Sequence, residues 1–354
     1  MKNKHKVLFI DDELQGENSR MQLVQSLNMD DRLDVFPIHP VDLTNSINEH
    51  LIPNKYTLII VDYKLSTHQN ADGLTFENNG YSLTSLLKEK CPDTPVYLIS
   101  QILTDDITMG EHYDKMLSHS LLTKSLGRDL LVHDCEDYTY IHSQLMQLDS
   151  IEKIINCLKV PDNSQDGFAK AIPLEFKSGL KSRLAIQPSE VIDQDSSYLR
   201  FSKWLNSTFI TKTGPLISIY ELAVLFGVNK DYLEASLMID YQDDFCQFEY
   251  KGPFSRSNER RWWMQEAFDF AIKLSGAVST STPWREIPTA LQIPEEHQSK
   301  CIVCHQNNPE CIAFDIDDIK LEKKYPAHWS CVTLSQKHEE LIGFDPIYIL
   351  DEDQ

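Results

Sequence analysis

Short apolar runs that each end on a polar side chain constrain this chain more than any other feature. KVLFI (6–10) opens onto Asp11-Asp12-Glu13, TLIIV (57–61) ends at Asp62, and PVYLI (95–99) ends at Ser100. Runs of about five apolar residues bounded by polar loops predict buried strands. A weaker run, SLLT (120–123), ends at Lys124 and predicts one more. Between them GYSLTSLLKE (80–89) places Leu83, Leu86 and Leu87 at helical spacing. This alternation predicts an α/β fold, a doubly wound parallel sheet with helices on both faces. The functional crevice of such a sheet lies beyond the carboxyl ends of its strands. Asp11, Asp12, Asp62, Ser100 and Lys124 are all expected there.

Three carboxylates at one sheet edge repel one another unless a cation sits among them. Oxygen ligands with room for phosphoryl oxygens suit Mg²⁺. A hydroxyl and a lysine opposite can hold the remaining phosphate oxygens. A nucleophile, a metal and a lysine clamp are the parts needed to move a phosphoryl group onto a carboxylate.

VLFIDDE, LIIVDYKL, the NGYSL helix start, VYLIS and LLTKS together resemble the receiver domain of two-component response regulators, over about residues 5–135. The resemblance implies a five-stranded sheet and a phosphoryl group taken from a histidine kinase. It implies Asp62 as phosphoacceptor and Asp11 and Asp12 as Mg²⁺ ligands, with the backbone carbonyl of Lys64 as a third. It also implies Ser100 as the switch hydroxyl and Lys124 as the cationic partner of the phosphoryl group. The chain departs from that pattern at an insertion over 66–79, at Gln101, at Leu121 in place of the switch aromatic, and at Ser125 where proline is expected.

Beyond the receiver (1–135), a long helix is predicted over 137–159, from Ile141, Leu145, Leu148, Ile151, Ile155 and Leu158. It opens a signalling-helix and linker region, 136–198, whose polar, proline-marked part starts near 161. A mainly α domain is expected over 199–280, with a helix-turn-helix-like segment, ELAVLFGVNKDYLEASL (221–237), turning at Gly227. Arg256, Arg260 and Arg261 could serve it as a basic arm.

The last module, 281–354, carries Cys301-x2-Cys304 and His328-x2-Cys331. Two such pairs complete a closed Cys3His site, which holds Zn²⁺ structurally and leaves no position for catalysis. His305 and Cys311 are the rival ligands. The order of C-x2-C and AFDIDDI (313–319) is similar to that of HNH nucleases, but Asp317 and Asp318 stand where the catalytic histidine would be.

The chain has 33 basic and 54 acidic residues. Residues 200–280 carry nine basic against ten acidic side chains, and 281–354 six against fourteen. That balance disfavours nonspecific nucleic-acid binding and anionic membranes. No run approaches the roughly 20 apolar residues of a membrane span, and the scattered cysteines suit a reducing compartment. The expectation is a cytoplasmic response regulator, not an enzyme beyond self-catalysed phosphoryl transfer onto Asp62. Its output would pass through a protein effector and a phosphorylation-dependent dimer. A DNA-binding transcriptional regulator is the alternative, and an HNH-like nuclease the remote one.

Overall fold

Every side chain of the strands Leu58–Asp62 and Val96–Ser100 is buried, so these segments must be covered on both faces. β1 (His5–Ile10), β2 (Leu33–Ile38), β3 (Leu58–Asp62), β4 (Val96–Ser100) and β5 (Lys115–Ser118) pair in parallel as one sheet of order β2-β1-β3-β4-β5. That order is the doubly wound, flavodoxin-like arrangement shared by receivers. The helices α1 (Ser19–Asn28), α2 (Gly80–Lys90) and α3 (Ser125–Leu145) accompany it. α2 starts hard against the end of β3: a Cβ on Gly80 would lie 2.1 Å from the Asp62 carbonyl oxygen. Only glycine fits there, and the Gly80 amide donates to the Tyr63 carbonyl at 2.7 Å.

The computed structural model describes residues 4–14, 19–65, 68–69, 75–76, 80–100, 113–145, 151–173, 197–276, 282–315, 324–331 and 341–346. Gln101 and most of the 66–79 insertion lie outside them; within that insertion His68–Gln69 pairs antiparallel with Thr75–Phe76.

One expectation needs correction. The last strand is Lys115–Ser118, while 119–122 is a short helix (His119–Leu122), not a strand. KMLS hides its strand character because Lys115 looks polar. Its ammonium is 2.9 Å from Asp134 on α3 and lies over the Tyr97 ring at 5.8 Å. Of the helix expected over 137–159, the described residues are helical within α3, which begins at Ser125, and over Ile151–Leu158, while 146–150 lie outside the described residues. The chain forms two compact units, residues 1–157 with 174–206, and 158–173 with 207–354. The helix Ser197–Trp204 belongs to the first because Tyr198 packs edge-on against His142 of α3, and its hydroxyl donates to the Asp93 carbonyl.

The second unit joins the helical segment and the cysteine module. Ile219–Leu225, a left-handed turn at Gly227, and a helical stretch over 230–240 with a π turn at Leu233–Leu237 form the helix-turn-helix-like part. A Cβ on Gly227 would meet the Trp284 carbonyl oxygen at 2.1 Å. Leu222, Phe226, Leu233, Phe245, Trp262 and Phe270 are among its core residues. The module adds an antiparallel sheet of β6 (Cys311–Asp315), β7 (Lys324–Ala327) and β8 (Leu341–Pro346), with β6 in the middle.

Candidate functional site

Adjacent parallel strands bring the acidic residues together. Asp11 follows β1 and Asp62 ends the neighbouring β3, so carboxylate oxygens of Asp11, Asp12 and Asp62 lie within 4.8 Å of one another. Asp11 and Asp62 are buried. Burial first, then the Asp11 charge, pushes the Asp62 carboxyl up to about 7. Burial likewise pushes Asp11 up to about 6, against the Glu13 amide and the Arg20 charge, which lower it. Carboxylates destabilised in this way call for a cation. Three oxygen donors suit a hard divalent ion such as Mg²⁺, so these residues fit the metal that a receiver uses.

Sequence reasoning missed the residue that sits among them. Arg20, the second residue of α1, is 3% exposed, with Nε 3.1 Å from Asp11 Oδ2 and Nη2 3.0 Å from Asp62 Oδ1. Its Nε is also 3.7 Å from Glu13.

The other expected members of the pocket divide. Ser100 is buried at the end of β4, level with Ser118 of β5. Lys64 lies just past β3 with its side chain exposed. Lys124 is not at a strand end; it is exposed at the turn between the helix His119–Leu122 and α3. The residue that follows β5 is His119, whose imidazole is held below its ordinary pKa by burial and then by the Arg20 charge.

In the second unit, ligand atoms of Cys301, Cys304, His328 and Cys331 also lie within 4.8 Å of one another. Tetrahedral zinc with Zn–S bonds of about 2.3 Å would hold its sulfurs at a similar spacing. His328 is oriented for such a role: Nε2 is 3.1 Å from the Asn307 carbonyl, and Nδ1 is 3.3 Å from Cys304 Sγ. A carbonyl that takes one ring N–H leaves the other nitrogen free to ligate. Burial opposes ionisation of Cys301, but the amides of Cys304, His328 and Val303 outweigh it and bring the thiol down to about 7. Of the rivals, Cys311 donates its S–H to the Ala327 carbonyl, and burial pushes it up to about 12. His305 is exposed and outside the cluster.

Two arginines of the basic arm are spent internally. Arg261 is buried, donating to the Thr211 carbonyl and facing Glu221. Arg260 makes two bonds to Glu249, at 2.7 and 3.0 Å, and lies over Trp262. The helix after Gly227 exposes Asp231, Glu234 and Asp240, and Lys230 is 3.8 Å from Glu234.

Among the described residues no helix is long and apolar enough to cross a membrane. No family model and no curated protein matches the chain. Among solved structures, a response regulator from Burkholderia pseudomallei, with a phosphorylated aspartic acid, calcium ion and citrate, is 15% identical. That likeness covers 44% of this chain and 93% of that one, with a TM-score of 0.26. The lysine decarboxylase LdcF of Francisella novicida is 13% identical over 65% of this chain and 30% of its own, with a TM-score of 0.22. Both scores are too low to carry an argument, and the receiver-like fold of the first unit rests on its own strand order and pocket.

Proposed function

We propose that the first unit is a phosphoacceptor receiver in which Asp62 takes a phosphoryl group from the phosphohistidine of a histidine kinase. The observation that carries this reading is the convergence of Asp11, Asp12 and Asp62 at the ends of adjacent parallel strands, with Ser100 on the next strand. An Asp62 oxygen forms the bond to phosphorus while the P–N bond breaks, and the departing imidazole nitrogen takes up a proton. Asp11 and Asp12, with the Lys64 carbonyl, would hold Mg²⁺, which when bound neutralises charge on the phosphoryl oxygens. Ser100 supplies a hydroxyl to the phosphorylated state. Acetyl phosphate with Mg²⁺ should add one phosphate by intact mass, and Asp62→Asn should abolish it. Undiminished labelling of that variant sinks the assignment.

The second unit is read as the output half, held together by one Zn²⁺ on Cys301, Cys304, His328 and Cys331. Metal binding and folding of the module should be one event. Cys304→Ser should lose the zinc and open residues 295–345 to protease while the receiver stays intact. Elemental analysis of untagged protein without metal would end this claim. A protein effector is favoured over DNA because phosphate contacts supply most sequence-independent DNA affinity, and Arg260, Arg261 and Lys230 already face carboxylates of their own chain.

A further inference from the structure

The acidic pocket carries a cation of its own. Arg20 reaches from α1 into the space that Asp11 and Asp62 share, and its charge lies within 3.1 Å of an oxygen on each. Arg20 takes Asp11 Oδ2 and Asp62 Oδ1, and the Glu13 amide donates to Asp11 Oδ1 at 2.7 Å, so three of the four oxygens of this pair are engaged. A divalent ion, which needs carboxylate oxygens at about 2.0–2.1 Å for Mg²⁺, competes with the guanidinium for the same negative charge.

The fit of the guanidinium is poor for a permanent tie. A carboxylate normally takes arginine as a fork, through two parallel hydrogen bonds. Here Nη2 makes one such bond to Asp62, while Nε, Nη1 and Asp11 Oδ2 are buried without a hydrogen-bond partner among the described residues. Nε and Asp11 Oδ2 attract by charge at 3.1 Å without the alignment of a bond. Buried donors left unmatched carry a desolvation cost. The attraction is therefore electrostatic and geometrically incomplete, which suits an occupant that can be exchanged.

We propose that Arg20 is a tethered counter-ion of the phosphoacceptor pocket, which holds Asp11 and Asp62 together without metal and must withdraw before a divalent cation binds. This rests on the receiver reading above and deepens it. The pocket is then two-state, closed on Arg20 or open to the metal. Divalent affinity is set by their difference, because an occupied conformation reduces apparent affinity by the fraction that is competent. Arg20 acts as a positioning residue here, working through the two aspartates.

The test is a Mg²⁺ titration of the full-length protein by calorimetry, on wild type, Arg20→Met and Arg20→Lys. Arg20→Met keeps bulk and loses the charge. It should bind Mg²⁺ roughly tenfold or more tightly than wild type, the scale of one lost charge-assisted hydrogen bond. Its melting temperature without metal should fall, and Mg²⁺ should restore it. Arg20→Lys, with one charge and no fork to span both carboxylates, should fall between the two. In wild type the Arg20 Nε–H resonance should be slow to exchange without metal and fast once Mg²⁺ is added, a readout that needs no variant to fold. Equal or weaker Mg²⁺ binding in Arg20→Met, or an Nε–H signal indifferent to Mg²⁺, overturns the proposal. Acetyl phosphate labelling on the same samples separates the two ideas. Tighter Mg²⁺ binding without any label on Asp62 keeps the Arg20 exchange and defeats the phosphoacceptor reading; label with coincident titrations does the reverse.

Discussion

Two buried clusters of charge, one in each unit, are built on opposite plans. In the first unit Asp11 and Asp62 share one guanidinium, with Asp12 beside them. In the second, a single carboxylate, Glu221, lies among two cations: Lys324 Nζ is 3.3 Å from Oε1 and Arg261 Nη1 is 3.9 Å from Oε2. Glu221 also accepts from the Thr213 hydroxyl and the Ser218 amide. Burial alone would raise the Glu221 pKa, but Lys324 and these hydrogen bonds overcome it and hold the carboxyl below its ordinary value. The aspartates of the pocket are pushed the other way. A buried carboxylate that is matched on every side joins elements together, here the start of helix Ile219–Leu225 to β7. A buried group of like charges with too few partners is a site that waits for a ligand.

The largest effect should come from unmatching the matched cluster. Glu221→Gln leaves Lys324 and Arg261 buried without their anion, and removal of one partner of a buried pair costs about 3–5 kcal/mol. The loss should appear in the second unit, which holds four of the five tryptophans (Trp262, Trp263, Trp284 and Trp329, with Trp204 in the first). Urea unfolding followed by tryptophan fluorescence reads it directly. A change below about 1 kcal/mol, the scale of an exposed pair, would mean that the cluster is hydrated and the contrast is empty.

The mirror substitution in the pocket should have the opposite sign. Asp62→Asn removes one of the crowded charges and leaves Asp11 paired to Arg20. Metal-free, at pH 8, the first unit should gain about 1 kcal/mol, the value of roughly one pKa unit. The pH dependence follows from the direction of the shift. A carboxyl raised to about 7 on folding stabilises the fold fully below the ordinary carboxylate pKa, and that contribution is lost as pH rises through 7. Toward pH 5 wild-type Asp62 protonates itself, so the gain from Asp62→Asn should shrink. Glu221, shifted down, keeps its contribution to the second unit above the ordinary carboxylate pKa and yields it only below. Calorimetry of both proteins at pH 5 and 8 without metal checks this. A loss of stability in Asp62→Asn at pH 8 would place Asp62 in the same class as Glu221.

The sequence made some of this contrast legible and concealed the rest, for identifiable reasons. Runs that are apolar throughout, such as TLIIV and PVYLI, announce strands buried on both faces and put Asp62 and Ser100 at their ends. The edge strands do not. β2 carries Pro37, which an edge tolerates, and β5 starts on Lys115, whose charge is met by Asp134 from a distant helix. Reading 120–123 as the strand puts its end at Lys124, whereas β5 ends at Ser118. The metal pairs 301/304 and 328/331 were readable because two knuckles of fixed spacing are local. Arg20 and Glu221 were not, since each is defined by partners as far as 42 and 103 residues away in sequence.

The smallest effect is expected where charge is exposed, which calibrates the other two. Arg260 is 58% exposed in its pair with Glu249 and also lies 5.1 Å from the centre of the Trp262 ring. Exposed pairs contribute about 0–1 kcal/mol, and an exposed cation–π contact about 0.5–1. Arg260→Ala should therefore cost the second unit about 1 kcal/mol, well under the loss in Glu221→Gln. The same variant bears on output. An arginine that grips duplex phosphates contributes to affinity across all sequences and to its salt dependence. One committed to Glu249 contributes little to either. Fluorescence anisotropy with a labelled duplex at low salt should show weak binding that Arg260→Ala leaves nearly unchanged. A steep loss of duplex affinity with stability intact would show that Glu249 only parks the guanidinium, and it would turn the second unit into a DNA-binding output.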